Sequence, residues 1–289
     1  MVVEAVDDSA RGDSEMLDLF DLTGRVAVVS GGASGMGRAM ALALAQAGAD
    51  LVLADLNGDG LQETLASIES LGRRCLGVTV DVSVPEEIRS LFARVDDEFG
   101  RIDFLGNVAG GKEILKRPED LTLEELESAL GSLVVGRFCC CQEAGRRMLA
   151  SEGGSILNIG SIASVSALGR GHIAYSMAMG AVVQMTRELS TEWSGRGVRV
   201  NAILPAQVPN PGLEVRMAKD PMLRDRFLSG IPAGRLGRPE DIQGLAVFLA
   251  SDASSWITGA LIPMDGGNLA KNGGGTCGEA RANAERNQR

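Results

Sequence analysis

Val28-Val29-Ser30-Gly31-Gly32-Ala33-Ser34-Gly35-Met36-Gly37 runs an apolar, β-branched stretch straight into a glycine cluster, and an alanine-rich helical pattern follows at once. Glycines at a strand-to-helix turn let the backbone reverse sharply and approach a pyrophosphate closely. The new helix then aims its first N–H groups at the phosphates. Ser30, Gly31, Ser34, Gly35, Met36 and Gly37 are therefore candidate dinucleotide contacts.

Outward from this loop, other candidates fall where predicted strands end. Asp55 closes the second strand, where a carboxylate accepts hydrogen bonds from the two ribose hydroxyls of the adenosine half and repels a 2′-phosphate; this favours NAD over NADP. Asp81 and Val82 close the third strand and would flank the adenine edge. Asn107-Val108-Ala109-Gly110 closes the fourth; small residues such as Ala109 and Gly110 leave room for the cofactor beside Asn107. Ligands of open α/β sheets bind at such C-terminal strand ends.

Short apolar runs at Val26–Ser30, Leu51–Ala54, Leu76–Val80, Phe104–Asn107, Ser155–Ile159, Arg199–Ile203 and Leu261–Pro263 alternate with helical stretches. Helices are predicted after Gly35, over 60–70, from Pro85 to before Gly100, from the capping signature at Thr122 to about Ala150, and over 174–193. The alternation predicts a single Rossmann-like, doubly wound parallel sheet of about seven strands with helices on both faces. Residues 19–267 form one dinucleotide-binding domain on this pattern, with disordered tails at 1–18 and 268–289.

A formal charge of −10 leaves no basic surface for nucleic acid or anionic lipid. The acidic first residues contain no signal-peptide core and no apolar run reaches membrane-spanning length, so a soluble cytoplasmic protein is expected. Cys139, Cys140 and Cys141 are adjacent on one helix and point in different directions. With no CxxC and no histidine at ligand spacing, no metal site is expected, and Cys75 and Cys277 complete a set of free thiols.

Taken in order, these segments resemble the short-chain dehydrogenase/reductase family. SGGASGMG is similar to its cofactor loop and NVAG to its NNAG motif; GSILNIGSIAS, AYSMAMGAV, RVNAILPA and the stretch GRLGRPEDIQGLAVFLASDASSWITGALIPMDGG match later segments. The resemblance implies an NAD-dependent oxidoreductase interconverting a secondary alcohol and a ketone, with Tyr175 as the catalytic proton carrier, also lining the cofactor site, and Ser161 orienting the substrate oxygen. It implies that Pro205, Val208 and Asn210 border the nicotinamide, Asn210 as an amide partner, and that 212–230 forms a lid holding Met217, Met222, Leu223 and Phe227. It also implies a homo-tetramer or homo-dimer packed through the fourth and fifth helices.

Two positions depart from the family. Met179 stands where a lysine is expected four residues after the tyrosine, and Leu133 where an asparagine is expected on the fourth helix. A tyrosine titrates near pH 10 unaided, so atypical proton handling follows. Arg170 and His172, in a loop just before Tyr175, are read as exposed residues, with a substitute role in proton handling as the sharper alternative. Two other functions stay open: a catalytically weak or inactive NAD-binding homologue acting as a partner subunit, and a non-redox lyase or dehydratase reusing Tyr175 and Ser161.

Overall fold

The computed structural model describes residues 17–111 and 114–271. Strands β1 (Val26–Ser30), β2 (Asp50–Asp55), β3 (Cys75–Thr79), β4 (Phe104–Asn107), β5 (Gly154–Ile159), β6 (Val198–Pro205) and β7 (Leu261–Met264) form one sheet in the order β3-β2-β1-β4-β5-β6-β7, every pair parallel. The predicted fold class and all seven strands are present, within two residues at each end. The helices are α1 (Gly35–Gln46), α2 (Gly58–Ser70), α3 (Pro85–Phe99), α4 (Leu123–Leu130), α5 (Gly136–Leu149), α6 (Ile173–Trp193), α7 (Pro211–Lys219), α8 (Met222–Leu228) and α9 (Gln243–Ala250).

Successive strand residues face opposite sides, and each side has its own core. Ala27, Val29, Leu51 and Leu53 pack with Met40 and Leu44 of α1, Leu61 and Ile68 of α2 and Leu249 of α9. Val26, Val28, Val52 and Ala54 face the other way, onto Ile88, Phe92 and Val95 of α3 and Ala144 and Met148 of α5. Burial on both faces is why these strands read as unbroken apolar runs. Cys139, Cys140 and Cys141 are all buried in this second core. Burial pushes the Cys140 thiol far up and that of Cys141 up to about 12, so both are protonated packing groups.

The helix predicted over Thr122 to Ala150 is interrupted by a π-turn, Gly131–Val135. Its start is as read: Thr122 Oγ1 accepts from the Glu125 N–H (3.2 Å) and a Glu125 carboxylate oxygen accepts from the Thr122 N–H (3.0 Å). Helices α7, α8 and α9 were not in the predicted set. The first two are short and polar, and α9 is too uniformly apolar to show a helical period.

The predicted tails lie almost wholly outside the described residues, as does Cys277. Asn268 and Lys271, assigned by sequence to the tail, are instead held to the domain: Asn268 Nδ2 donates to the Gly230 carbonyl (2.8 Å) and Lys271 Nζ to that of Ser229 (2.6 Å). Among the described residues no helix is long and apolar enough to cross a membrane, and no group of three or more His, Cys, Asp or Glu converges to hold a metal.

At Gly136, the first residue of α5, a Cβ would collide with the main-chain oxygen of Val82. Backbone meets backbone there, so no side-chain rotation relieves the clash. Gly136→Ala is expected to cost about 1–3 kcal/mol, measurable as a fall in Tm of roughly 2–4 °C per kcal/mol; an unchanged Tm would show that α5 can stand off from the turn that follows β3.

Candidate active site

The loop Gly31–Ser34 and the first turn of α1 form an open anion cradle. Ser34 occupies the N-cap position but its side chain caps nothing, and no acidic residue lies in the first turn. The free first-turn N–H groups thus remain for a ligand. A Cβ at Gly37 would collide with the Gly31 carbonyl oxygen, so only glycine lets loop and helix pack this closely. An uncapped helix start over a cradle that a side chain would fill fits a dinucleotide pyrophosphate.

Asp55 ends β2 beside this loop. Its Oδ2 accepts from the Ala33 N–H (3.1 Å) and its Oδ1 from the Asn57 N–H (3.0 Å), which shapes the loop and leaves further lone pairs on each oxygen. Asp81 lies past the end of β3, in a turn where its Oδ1 accepts from the Ser83 hydroxyl (2.7 Å) and N–H (2.8 Å). Those bonds hold its carboxyl below the usual range. Val82 packs at the margin of the second core. Ala109 and Gly110 continue from β4 at the same end of the sheet, Gly110 exposed, and Met36 lies half-buried at the start of α1. Pro205 ends β6, in register with Met264 of β7.

Three expected cofactor contacts carry hydrogen bonds of the fold. Ser30 is buried, and its Oγ accepts from the N–H groups of Val108 (3.0 Å) and Ala109 (3.1 Å), tying the glycine loop to the end of β4. Asn107 is buried too; its Nδ2 donates to the Arg137 carbonyl (3.0 Å) and to Asn158 Oδ1 (3.1 Å). Both are polar because they join strands inside the sheet, and their side chains face protein. Asn210 is the N-cap of α7, its Oδ1 accepting from the Leu213 N–H (2.9 Å), so it starts that helix as well as standing at the expected nicotinamide position. Val208 lies against Gly237, whose N–H donates to the Gln207 carbonyl (2.9 Å).

Ser161 follows the end of β5. Its Oγ accepts from the Ala163 N–H (3.1 Å) and caps the short turn Ile162–Ser164, so its O–H proton is still available to donate. That turn packs on α6, whose third residue is Tyr175. His172 precedes α6 and, against expectation, is buried; its ring stands edge-on to that of Tyr175, with centroids 6.4 Å apart. Its Nδ1 lies 3.2 Å from the carbonyl oxygens of both Gly169 and Arg170, which places the ring proton on that nitrogen. Arg170 is exposed and has φ 61°, with its guanidinium 5.0 Å from the Phe227 ring centre.

One helical turn beyond Tyr175, Met179 is buried in an apolar cluster with Leu133, Ala178 and Val182, and Tyr175 packs against it. Both sequence departures therefore fall in one dry patch beside the tyrosine.

Sequence reasoning missed Arg137. Its guanidinium is buried between the ends of two strands: Nη1 donates to the Ile159 carbonyl and Nη2 to the Ala109 carbonyl (3.1 Å). Burial pushes its pKa below the ordinary arginine value. The available signal was a lone cation within Gly136-Arg137-Phe138-Cys139-Cys140-Cys141, on a helix that must cover β4 and β5.

Beside these residues opens a cavity of roughly 400 Å³ lined by Ile162, Gln207 and Phe227 and by Arg170, Arg226 and Lys271, with no carboxylate among its described lining residues and Arg226 paired with Asp220 outside it. Phe227 also anchors a small apolar core with Leu213, Ile231 and Leu236, packed by Met217 and Leu223 of the expected lid; Met222 is exposed.

A family model described as enoyl-(acyl carrier protein) reductase matches residues 31–268. The chain is 40% identical to a D-threitol dehydrogenase of Mycolicibacterium smegmatis, over 87% of this chain and 95% of the relative. It is 38% identical to an NAD-dependent glycerol dehydrogenase of Listeria innocua, over 87% and 96%. A gluconate 5-dehydrogenase from Burkholderia cenocepacia, solved in complex with NADP and tartrate, superposes with a TM-score of 0.82 at 28% identity, covering 89% of this chain and all of that one.

The two N–H groups held by Ser30 become partnerless if its hydroxyl is removed. Ser30→Ala is expected to destabilise the fold by about 1–3 kcal/mol, read as a lower denaturant midpoint, while NADH affinity in the folded variant falls less than about tenfold. A selective loss of NADH binding with unchanged stability would return Ser30 to the cofactor.

Proposed function

The chain belongs to the short-chain dehydrogenase/reductase family and is an oxidoreductase of that type, and we propose that it oxidises a secondary alcohol of a polyol or sugar acid with NAD. The reading rests on one juxtaposition: Tyr175 and Ser161, on elements that pack together, stand at the same sheet end as the open glycine cradle. A bound nicotinamide dinucleotide would supply the hydride acceptor. Gly31, Ser34, Gly35, Met36 and Gly37 would hold its phosphates; Asp55, Asp81 and Val82 its adenosine half; Ala109, Gly110, Tyr175, Pro205 and Val208 its nicotinamide half.

Ser161, with its hydroxyl proton unspent, donates to the substrate oxygen and fixes it near the phenol. Tyr175 exchanges the hydroxyl proton. Met179 and Leu133 take the family's lysine and asparagine positions, and their apolar contact excludes the water such a polar pair would hold. Arg170 and Lys271 among the described lining of the cavity, beside an Arg226 already paired with Asp220, favour a substrate bearing a carboxylate over a neutral polyol. The exposed apolar side chains Val135, Phe138 and Met177, on or beside α5 and α6, favour packing of these helices against a second copy in a homo-dimer or homo-tetramer.

Asp55 favours NAD because its carboxylate would repel a 2′-phosphate, and the nearby Arg38 is paired with Glu63. Asp55→Ala is expected to weaken NADH roughly 10–100-fold, the loss of a charge-assisted hydrogen bond, and NADPH much less. An unchanged NADH/NADPH affinity ratio, measured by fluorescence titration, would remove Asp55 as the discriminator.

A panel of gluconate-type acids and tetritols assayed with NAD tests the function itself. Turnover should be higher on the acids and fall on the order of 10²–10⁴-fold in Tyr175→Phe. NADH binding without turnover on any alcohol would favour the partner-subunit alternative.

A further inference from the structure

The chain does not leave the domain at the end of β7. Asp265 turns it back: its Oδ1 accepts from the Gly267 N–H (2.9 Å) and its Oδ2 from the Leu269 N–H (2.7 Å). Gly266 and Gly267, at φ 61° and 88°, take the left-handed conformations that this reversal needs. The Lys271 N–H closes a further turn on the Gly267 carbonyl (3.1 Å). Two side chains then seat the reversed segment on the residues that follow α8. Asn268 Nδ2 donates to the Gly230 carbonyl (2.8 Å) and Lys271 Nζ to the Ser229 carbonyl (2.6 Å).

The reversed segment is a wall of the cavity. Asn268, Leu269 and Lys271 line it together with Phe227 of α8 and with Ile162, in the turn that Ser161 caps. A ligand that fills the cavity meets both the Ser161 turn and the residues that carry Lys271.

Charge sets Lys271 apart from the other basic side chains in this wall. Arg226 is answered by Asp220, and the Arg170 guanidinium lies over the Phe227 ring. Lys271 meets a carbonyl, which is a neutral acceptor, and no carboxylate pairs with it among the described residues. An ammonium carries three donors, so two N–H bonds and the whole charge remain. Its backbone is pinned and its tip is tethered, so binding an anion would order little that is not ordered already.

We propose that Lys271 is the specificity-determining residue that selects a carboxylate-bearing substrate over a neutral polyol, presented by a C-terminal segment folded back onto the end of α8. The ammonium keeps its proton throughout and donates to a carboxylate oxygen, so it acts on binding and not on hydride or proton transfer. The inference rests on this cavity being the substrate site of the proposed function.

Lys271→Met keeps most of the side chain's length and its apolar stem, and removes the charge and the donors. With a gluconate-type acid as substrate, KM should rise roughly tenfold or more, the loss of a hydrogen bond between charged groups, with kcat little changed. The ratio of the tetritol KM to the acid KM should fall by a similar factor, and Lys271→Arg should restore most of it. Added salt should weaken acid binding more in wild type than in Lys271→Met.

Calorimetric titration of gluconate into protein saturated with NADH reads binding without turnover, because a reduced cofactor accepts no hydride. Wild type should bind gluconate more tightly than erythritol, and Lys271→Met should lose that preference. Equal KM rises for acid and tetritol overturn the proposal, since loss of the Ser229 tether alone would act on both. An unchanged gluconate affinity in Lys271→Met overturns it too, as does wild-type protein that binds gluconate no better than erythritol. Wild-type protein that binds gluconate through Lys271 but oxidises no alcohol overturns the proposed function instead.

Discussion

A row of buried polar side chains crosses the sheet at the level where its strands end. Ser30, Asn107 and Asn158 stand side by side on β1, β4 and β5, in register with one another. Asn107 Nδ2 donates to Asn158 Oδ1 (3.1 Å), and Asn158 Nδ2 donates to Thr186 Oγ1 on α6 (3.1 Å). Ser30 meanwhile holds the first two residues beyond β4. These groups are enclosed by apolar cores on both faces, so leaving any one unpaired would cost a desolvation penalty with no water to offset it. The row therefore fixes the glycine loop, the Ala109 loop and helix α6 relative to one another. The distance from cradle to tyrosine is set by hydrogen bonds that no ligand has to form.

The apolar pair beside Tyr175 is coherent with the same physics. On the proposed reading, Leu133 and Met179 replace two polar residues together. Keeping one would strand a buried donor or acceptor, about 1–3 kcal/mol of loss, whereas replacing both yields a contact that packs. Arg137 lies one helical turn beyond Leu133, at the point where the π-turn hands over to α5.

Much of this was legible from sequence because it is periodic or local. Double-sided burial writes itself as continuous apolar runs, and the glycine loop is a contiguous pattern, so sheet, strand count and cradle could all be read. The Thr122 capping box lies within four residues and was read correctly. Less legible was which partners the polar residues inside a motif take. Ser30, Asn107 and Asn210 sit in segments read as flanking a cofactor, and their hydrogen-bond partners are 78, 51 and 3 residues away. Only the fold brings the first two pairs together. Arg137 was invisible for the same reason: its carbonyl partners belong to β5 and the end of β4, and a helix read alone does not reveal which face covers them. The π-turn leaves no periodic trace, since it shifts the helix phase within a single turn.

His172 shows how a loop can be more constrained than its composition suggests. Gly169, Arg170 and Gly171 have φ values of 64°, 61° and 76°, a left-handed run with a non-glycine residue at its centre. A lone arginine in that region stores strain, on the order of 1–3 kcal/mol, and persists only if its surroundings impose it. They do so from both sides. The Gly171 carbonyl accepts from the Lys116 N–H (3.1 Å), and the His172 ring spans the carbonyls of Gly169 and Arg170. The turn then delivers the chain into α6 with His172 buried against Tyr175 and the Arg170 guanidinium over Phe227 at the cavity wall. One strained turn thus sets two things: the entry angle of the helix that carries the tyrosine, and the position of a cation at the cavity wall. Relaxing it would move both, which is why a loop this short and glycine-rich is held so firmly.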